Sequence, residues 1–283
     1  RRRARPDAEP ANPKAVLGLA FLSVLTHPFL DWLNTYGVRL LMPFDDRWFY
    51  GDSVFIVDPW LWLSMGAAVV LARSAGKPSM AAWLVLGCGA SAFVLGTGFV
   101  PIGAQLLWAV GVGAIVALRA SGRPRERVER VARVCIAALA IYLSLNVAGA
   151  HIARDEVRSW LADRGMHADT GSASPVPANP FVREVIALVG DEYHFVRRSW
   201  FGEPGFAFSN PPIALGPRDA IARAALDAPS VRGLRGWLRF PAIEVERADD
   251  GYVVTIRDVR YGRRGPTALG TAVVRLDDSL QPL

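Results

Sequence analysis

Charge is scarce in this sequence: Asp, Glu, Lys and Arg make up 20% of its 283 residues, against 52% hydrophobic, and the mean hydropathy is +0.23. Ordinary soluble domains carry about 25% charged residues, so the shortage excludes a disordered charged tail and directs attention to long apolar runs. Cysteine is nearly missing as well. Cys88 and Cys135 each lie inside an apolar run, which excludes a disulfide framework and leaves both as small packing residues. The sequence has no phosphate-cradling Gly loop, no Cys cluster and no Ser elbow, and Gly96-Thr97-Gly98 reads as helix packing or helix-end chemistry.

The charge that is there is unevenly placed. The formal net charge of +6 comes from 15 basic against 9 acidic residues before residue 151, and 17 against 17 after it. A pI near 9.8 suggests nucleic acid, but the basic residues sit between apolar runs rather than on one folded face. The expected partner is therefore a lipid bilayer, and no nucleic acid is expected. The runs are Ala15 to Leu33, Val54 to Ala72, Ala81 to Gly98, Val100 to Leu118 and Val134 to Ala150. Each is close to the ~20 residues that a hydrocarbon core of roughly 30 Å requires of a helix. The fold class expected is an α-helical integral membrane protein with about five transmembrane helices; Pro59 can start the second of these and leave Val54 to Val57 as a lead-in.

Orientation follows from the loops. Arg1, Arg2, Arg3, Arg5 and Lys14 form a basic segment over residues 1–14, Arg73 and Lys77 lie between the second and third runs, and Arg119 to Arg133 supply six arginines between the fourth and fifth. Five crossings put all three segments on one side, which the positive-inside rule makes the cytoplasm of a bacterial inner membrane. The extracytoplasmic side then holds Asn34 to Ser53, the turn at Phe99-Val100-Pro101 and everything after Ala150. The start Arg1-Arg2-Arg3 without Met is expected of a fragment or a processed form. It is not expected of a signal peptide, because the first run ends in Asp31-Trp32-Leu33-Asn34 without a small-residue cleavage site.

After the membrane domain of residues 15–150, a helix from His151 to Arg164 and a Gly/Ser/Ala/Pro-rich linker to Pro180 are expected. Residues 181–283 read as a small α+β domain. Phe181 to Val189 and Tyr193 to Phe201 pair around Gly190-Asp191-Glu192, and Ala242 to Arg247 and Tyr252 to Val259 around Asp249-Asp250-Gly251. Pro217 to Leu226 and Val231 to Phe240 read as helices, and Ala268 to Leu276 as a further strand.

Candidate chemistry concentrates between Thr26 and Pro59. On a helix, His27, Asp31 and Asn34 fall at i, i+4 and i+7, on one stripe near the outer end of the first run. An imidazole and a carboxylate one turn apart can hold a divalent metal ion, and the mixed N/O set suits Zn or Mn; the alternative is a pair that only bond each other. Ionisable groups inside a span cost roughly 2.5–3.5 kcal/mol each on insertion scales, which favours a site. Asp58, before Pro59, reads either as a helix cap or as a third ligand. Asp45, Asp46 and Asp52 read as a solvated turn, with Arg47 or Arg39 able to bind a phosphate bidentately. His151 can approach the site; His167 and His194 carry no role.

The run His27-Pro28-Phe29-Leu30-Asp31-Trp32-Leu33-Asn34-Thr35-Tyr36-Gly37, with Arg39-Leu40-Leu41-Met42-Pro43-Phe44, Asp46-Arg47-Trp48 and Phe55-Ile56-Val57-Asp58-Pro59, resembles the YdjM-like family of membrane-bound metal-dependent hydrolases. Trp237-Leu238-Arg239-Phe240-Pro241 and Asp258-Val259-Arg260-Tyr261 look like a branch of it. The resemblance implies hydrolysis, with His27 and Asp31 as the metal ligands that carry over best, Asp58 next, and a His-x3-Asp element similar to that of zinc-dependent phospholipase C. The family's His-Arg-Gly and Thr-His-Ser stretch does not occur here, so further ligands are expected from outside this sequence. The function expected is hydrolysis of a phosphoester of lipid or envelope origin, with Asp58, Asn34 and Arg47 assisting; the alternative is a non-enzymatic scaffold whose outer domain binds an envelope partner.

Overall fold

A computed structural model describes residues 12–98, 100–122, 124–261 and 269–283. Of the expectations above, most of the basic segment before Lys14, Phe99, Arg123 and Ala268 lie outside the described residues. The chain divides into two compact units: residues 1–149 with 174–180, and residues 150–173 with 181–283.

The first unit is helical. α1 (Pro13–Leu33) begins under Asn12, whose side chain accepts from the Lys14 N–H, and runs through Pro28. α2 (Pro59–Arg73) begins under Asp58, α3 (Lys77–Gly96) and α4 (Ile102–Ala120) follow, and α5 (Arg125–Ala162) leaves the unit. Four of the five, α1, α3, α4 and α5, are long and apolar enough to cross a membrane, whereas α2 has 15 residues and rises only about 22 Å. The second apolar run is thus shorter as a helix than as a sequence, because Pro59 lacks the N–H that would extend a helix back into Val54–Val57. α5, with 38 residues, joins the fifth run to the charged stretch after His151 in one helix. α2, α3 and α4 pack on one another through Leu63, Val94 and Trp108, and Trp108 donates its indole N–H to Ser91 Oγ at 3.0 Å.

The second unit holds two antiparallel sheets. In the first, β1 (Ala168–Val176), β2 (Asn179–Val189), β3 (Glu192–Ser199) and β4 (Phe206–Ala214) lie in sequence order; in the second, β5 (Pro241–Ala248), β6 (Gly251–Asp258) and β7 (Thr271–Leu276) do the same. Both expected hairpins are present, with Val189 opposite Glu192 and Ala248 opposite Gly251. The linker expected over 165–180 is instead occupied largely by β1. The helix expected over Val231 to Phe240 shrinks to α7 (Arg232–Arg235), and α6 (Ala220–Asp227), capped by Asp219, packs Ala222 and Ala225 on the second sheet. Ala150, Ala153, Val157 and Leu161 of α5 bury one stripe against Val185 and Val196 of the first.

The two stretches 237–241 and 258–261 meet in a buried knot. Asp258, fully buried, accepts from the Arg239 N–H at 2.7 Å and the Phe240 N–H at 3.3 Å, and from Arg260 Nε at 2.9 Å and Nη2 at 2.8 Å. The Arg260 guanidinium also donates to the Trp237 carbonyl and lies 4.9 Å and 5.0 Å from the stacked rings of Trp237 and Tyr261. Close by, burial and then the negative charge of Asp258 push the Tyr193 hydroxyl up to about 12, so it stays protonated and donates to the Pro241 carbonyl at 3.1 Å.

Candidate metal site

The last turn of α1 is held by the chain that follows it. A helix end leaves carbonyls without partners. Here Gly51 N–H donates to the Trp32 carbonyl at 2.5 Å, and the N–H groups of Ser53 and Val54 donate to the Leu33 carbonyl at 2.7 Å and 3.0 Å. Glycine is required at 51, because a Cβ there would stand 2.7 Å from that Trp32 oxygen and 2.9 Å from Leu33 Cα. The loop is further tied by a β-bridge between Val38 and Phe49, and Gly37 supplies the left-handed backbone, φ 79°, that starts the turn.

On that fixed end His27 Nε2 lies 3.4 Å from Asp31 Oδ2, with the side chains 84% and 42% exposed. The i, i+4 stripe thus forms as expected. Two ligands each about 2.0–2.2 Å from a tetrahedral ion stand about 3.4 Å apart, so the pair has the spacing of one edge of a zinc shell.

Asn34 does not extend the pair. Its amide oxygen accepts from the Tyr36 N–H at 2.6 Å and its Nδ2 donates back to the Leu30 carbonyl at 3.4 Å, which makes it the buried cap of α1. Asp58 is 4% exposed and committed on both oxygens. Oδ1 accepts from the Trp60 and Leu61 N–H groups at 2.9 Å and 3.4 Å, and Oδ2 accepts from the Tyr142 hydroxyl at 2.6 Å. Of its two expected readings, the cap is what the geometry displays, and among the described residues no three His, Cys, Asp or Glu side chains gather into one group.

The two arginines of the loop differ. Arg47 is held by Asp45, donating from its backbone N–H and its Nε at 2.9 Å and 2.6 Å, and these bonds keep the Asp45 carboxyl below its ordinary value. Arg39 lies over the Trp48 ring at 5.0 Å, and its Nε and the Trp48 indole N–H are both buried without a hydrogen-bond partner among the described residues. Arg47 spends one of its five guanidinium N–H groups on Asp45 and Arg39 leaves its buried Nε unpartnered, so both arginines keep donors. Two residues here escaped the sequence. Asp52, expected in a solvated turn, is fully buried with φ 51°, and Tyr142 reaches Asp58 across 84 positions with no local signal.

Residues 3–102 match the YdjM inner membrane protein family. The match takes in α1, the loop, α2 and α3, the part of the chain that carries the run from His27 to Pro59. Together with four helices among the described residues that are long and apolar enough to cross a membrane, the match supports a membrane protein. No curated protein and no solved structure matches the chain.

Proposed function

We propose that this YdjM-like protein is a metal-dependent hydrolase of the inner membrane, acting on a phosphoester of lipid or envelope origin at the extracytoplasmic face. The observation that carries the reading is the His27–Asp31 pair, exposed at the end of a membrane-length helix with the spacing of two metal ligands. His27 and Asp31 hold the ion, and Asn34 and Asp58 fix the ends of α1 and α2 around it. Arg39, over Trp48, or Arg47, with the guanidinium N–H groups that Asp45 leaves, receives the phosphate. A divalent ion there supplies a water acidic enough to ionise near neutral pH. The remaining ligands come from water or from residues beyond those described.

The test is metal content of the purified full-length protein. Wild type is expected to bind one Zn or Mn ion, and His27→Ala and Asp31→Ala each to lose it at unchanged helix content. A folded wild type free of metal in excess of both ions ends the proposal and leaves the pair as a clasp of a scaffold protein.

The accompanying topology has five crossings, with α2 preceded by the interfacial lead-in Val54 to Val57. It is supported within the first unit by Trp60 Nε1, at the start of α2, donating to the Ala178 carbonyl at 3.0 Å, and by Arg119, at the end of α4, bonding Ser74 at the end of α2. Alkaline phosphatase fused after Leu283 is expected to be active and a fusion between α4 and α5 inactive; the reverse overturns the placement.

A further inference from the structure

Between α2, α3 and α4 lies an apolar cleft of about 900 Å³, in the upper part of the range of roughly 300–1,000 Å³ that holds small molecules. Trp62, Trp83 and Trp108 line it, and Gly66, Gly87 and Gly89 keep its walls low. Its lining is polar at one end, where Ser74 meets Arg119. The Arg119 guanidinium donates from Nε to Ser74 Oγ at 2.7 Å and from Nη2 to the Ser74 carbonyl at 2.8 Å. Two of its five N–H groups are thereby used, and three remain to donate. Arg73 and Lys77 stand at the end of α2 and the start of α3, on either side of Ser74 in the chain. Among the described residues none of these three cations forms an ion pair with a carboxylate.

An apolar cleft lined from three helices, with an oriented guanidinium among its lining, matches one chemistry: an acyl chain with an anionic head group. We infer that this cleft is a binding site for an anionic glycerophospholipid, its chain along Trp62, Trp83 and Trp108 and its phosphate on Arg119. Basic pockets between membrane helices on the cytoplasmic side take such head groups. The inference does not depend on the metal or on hydrolysis.

Trp62, Trp83 and Trp108 are three of nine tryptophans, so the readout is the part of the quenching that filling the cleft removes. Full-length protein in phosphatidylcholine vesicles is titrated with bromine-labelled phosphatidylglycerol or, separately, bromine-labelled phosphatidylcholine, and quenching of tryptophan fluorescence is followed. Labelled phosphatidylglycerol is expected to reach half-quenching at a mole fraction about fivefold lower, the preference that one engaged cation provides. Arg119→Gln is expected to remove most of that preference. Gly66→Leu, whose new side chain enters open space because a Cβ there meets nothing within 4 Å, fills the cleft and keeps every charge. It is expected to abolish the preference too. Equal quenching by the two lipids in wild type, or a preference that survives either substitution, overturns the site; survival in Gly66→Leu would assign the preference to basic residues attracting lipid at the surface alone.

Discussion

Asp258→Ala is expected to lower the stability of the second unit by about 3–5 kcal/mol, because it strands a buried cation. Arg260 is 2% exposed on its side chain and has Asp258 as its ion-pair partner, and the same carboxylate terminates the backbone N–H groups of Arg239 and Phe240. Domains are stable by only about 5–15 kcal/mol, so the loss is a large share of the total. Hydrogen exchange on the full-length protein in detergent micelles measures it. Amides of β5 and β6 are expected to exchange about two to four orders of magnitude faster, while those of α3 and α4 are unchanged. Asp258→Ala with Arg260→Met is expected to recover part of the protection, since the double change removes the stranded charge. If the double variant were as unprotected as the single, the backbone bonds to Asp258, and not the ion pair, would set the stability.

That knot was visible in the sequence only as two separate stretches, since nothing local tells residue 237 that residue 258 will lie under it. Legibility followed the range of the interaction. The helices could be read because a membrane span needs a run of apolar residues, a property of consecutive positions. The hairpins at 190 and 250 could be read because their turns are local as well. β1 could not. Its Gly171-Ser172-Ala173-Ser174-Pro175 has the composition of a linker, yet small residues are what the packing demands: a Cβ on Gly171 would stand 2.4 Å from the Phe240 ring, and Ser172 and Ala173 are buried. β4 was hidden by Pro211-Pro212, which fall where the register with β3 shifts between Tyr193↔Ile213 and Phe195↔Asn210, so neither has to supply a ladder N–H. The candidate site divides the same way. The His27–Asp31 pair and the Asp58 cap arise from spacings of a few residues, whereas Tyr142 and the buried Asp52 depend on how distant segments pack.

Asp58 is where stability and chemistry can be told apart. Asp58→Ala is expected to destabilise the membrane unit by about 2–4 kcal/mol, combining a lost helix cap with a lost hydrogen bond between a charged acceptor and the Tyr142 hydroxyl. Tyr142→Phe removes only the second and is expected to lower stability by about 1–2 kcal/mol. Asp58→Asn is the informative change. A carboxamide oxygen still caps α2, and the amide N–H can donate to the Tyr142 oxygen, so thermal unfolding in detergent is expected to stay close to wild type. Bound metal, on the proposal that His27 and Asp31 hold the ion, is expected to stay near wild type too. If Asp58→Asn kept the unfolding temperature and lost the metal, Asp58 would be a ligand, and its bond to Tyr142 would belong to a metal-free arrangement that the ion rearranges. If Asp58→Asn lost both in proportion, the carboxylate's charge would be structural, and the metal would report only on whether the ends of α1 and α2 are in place.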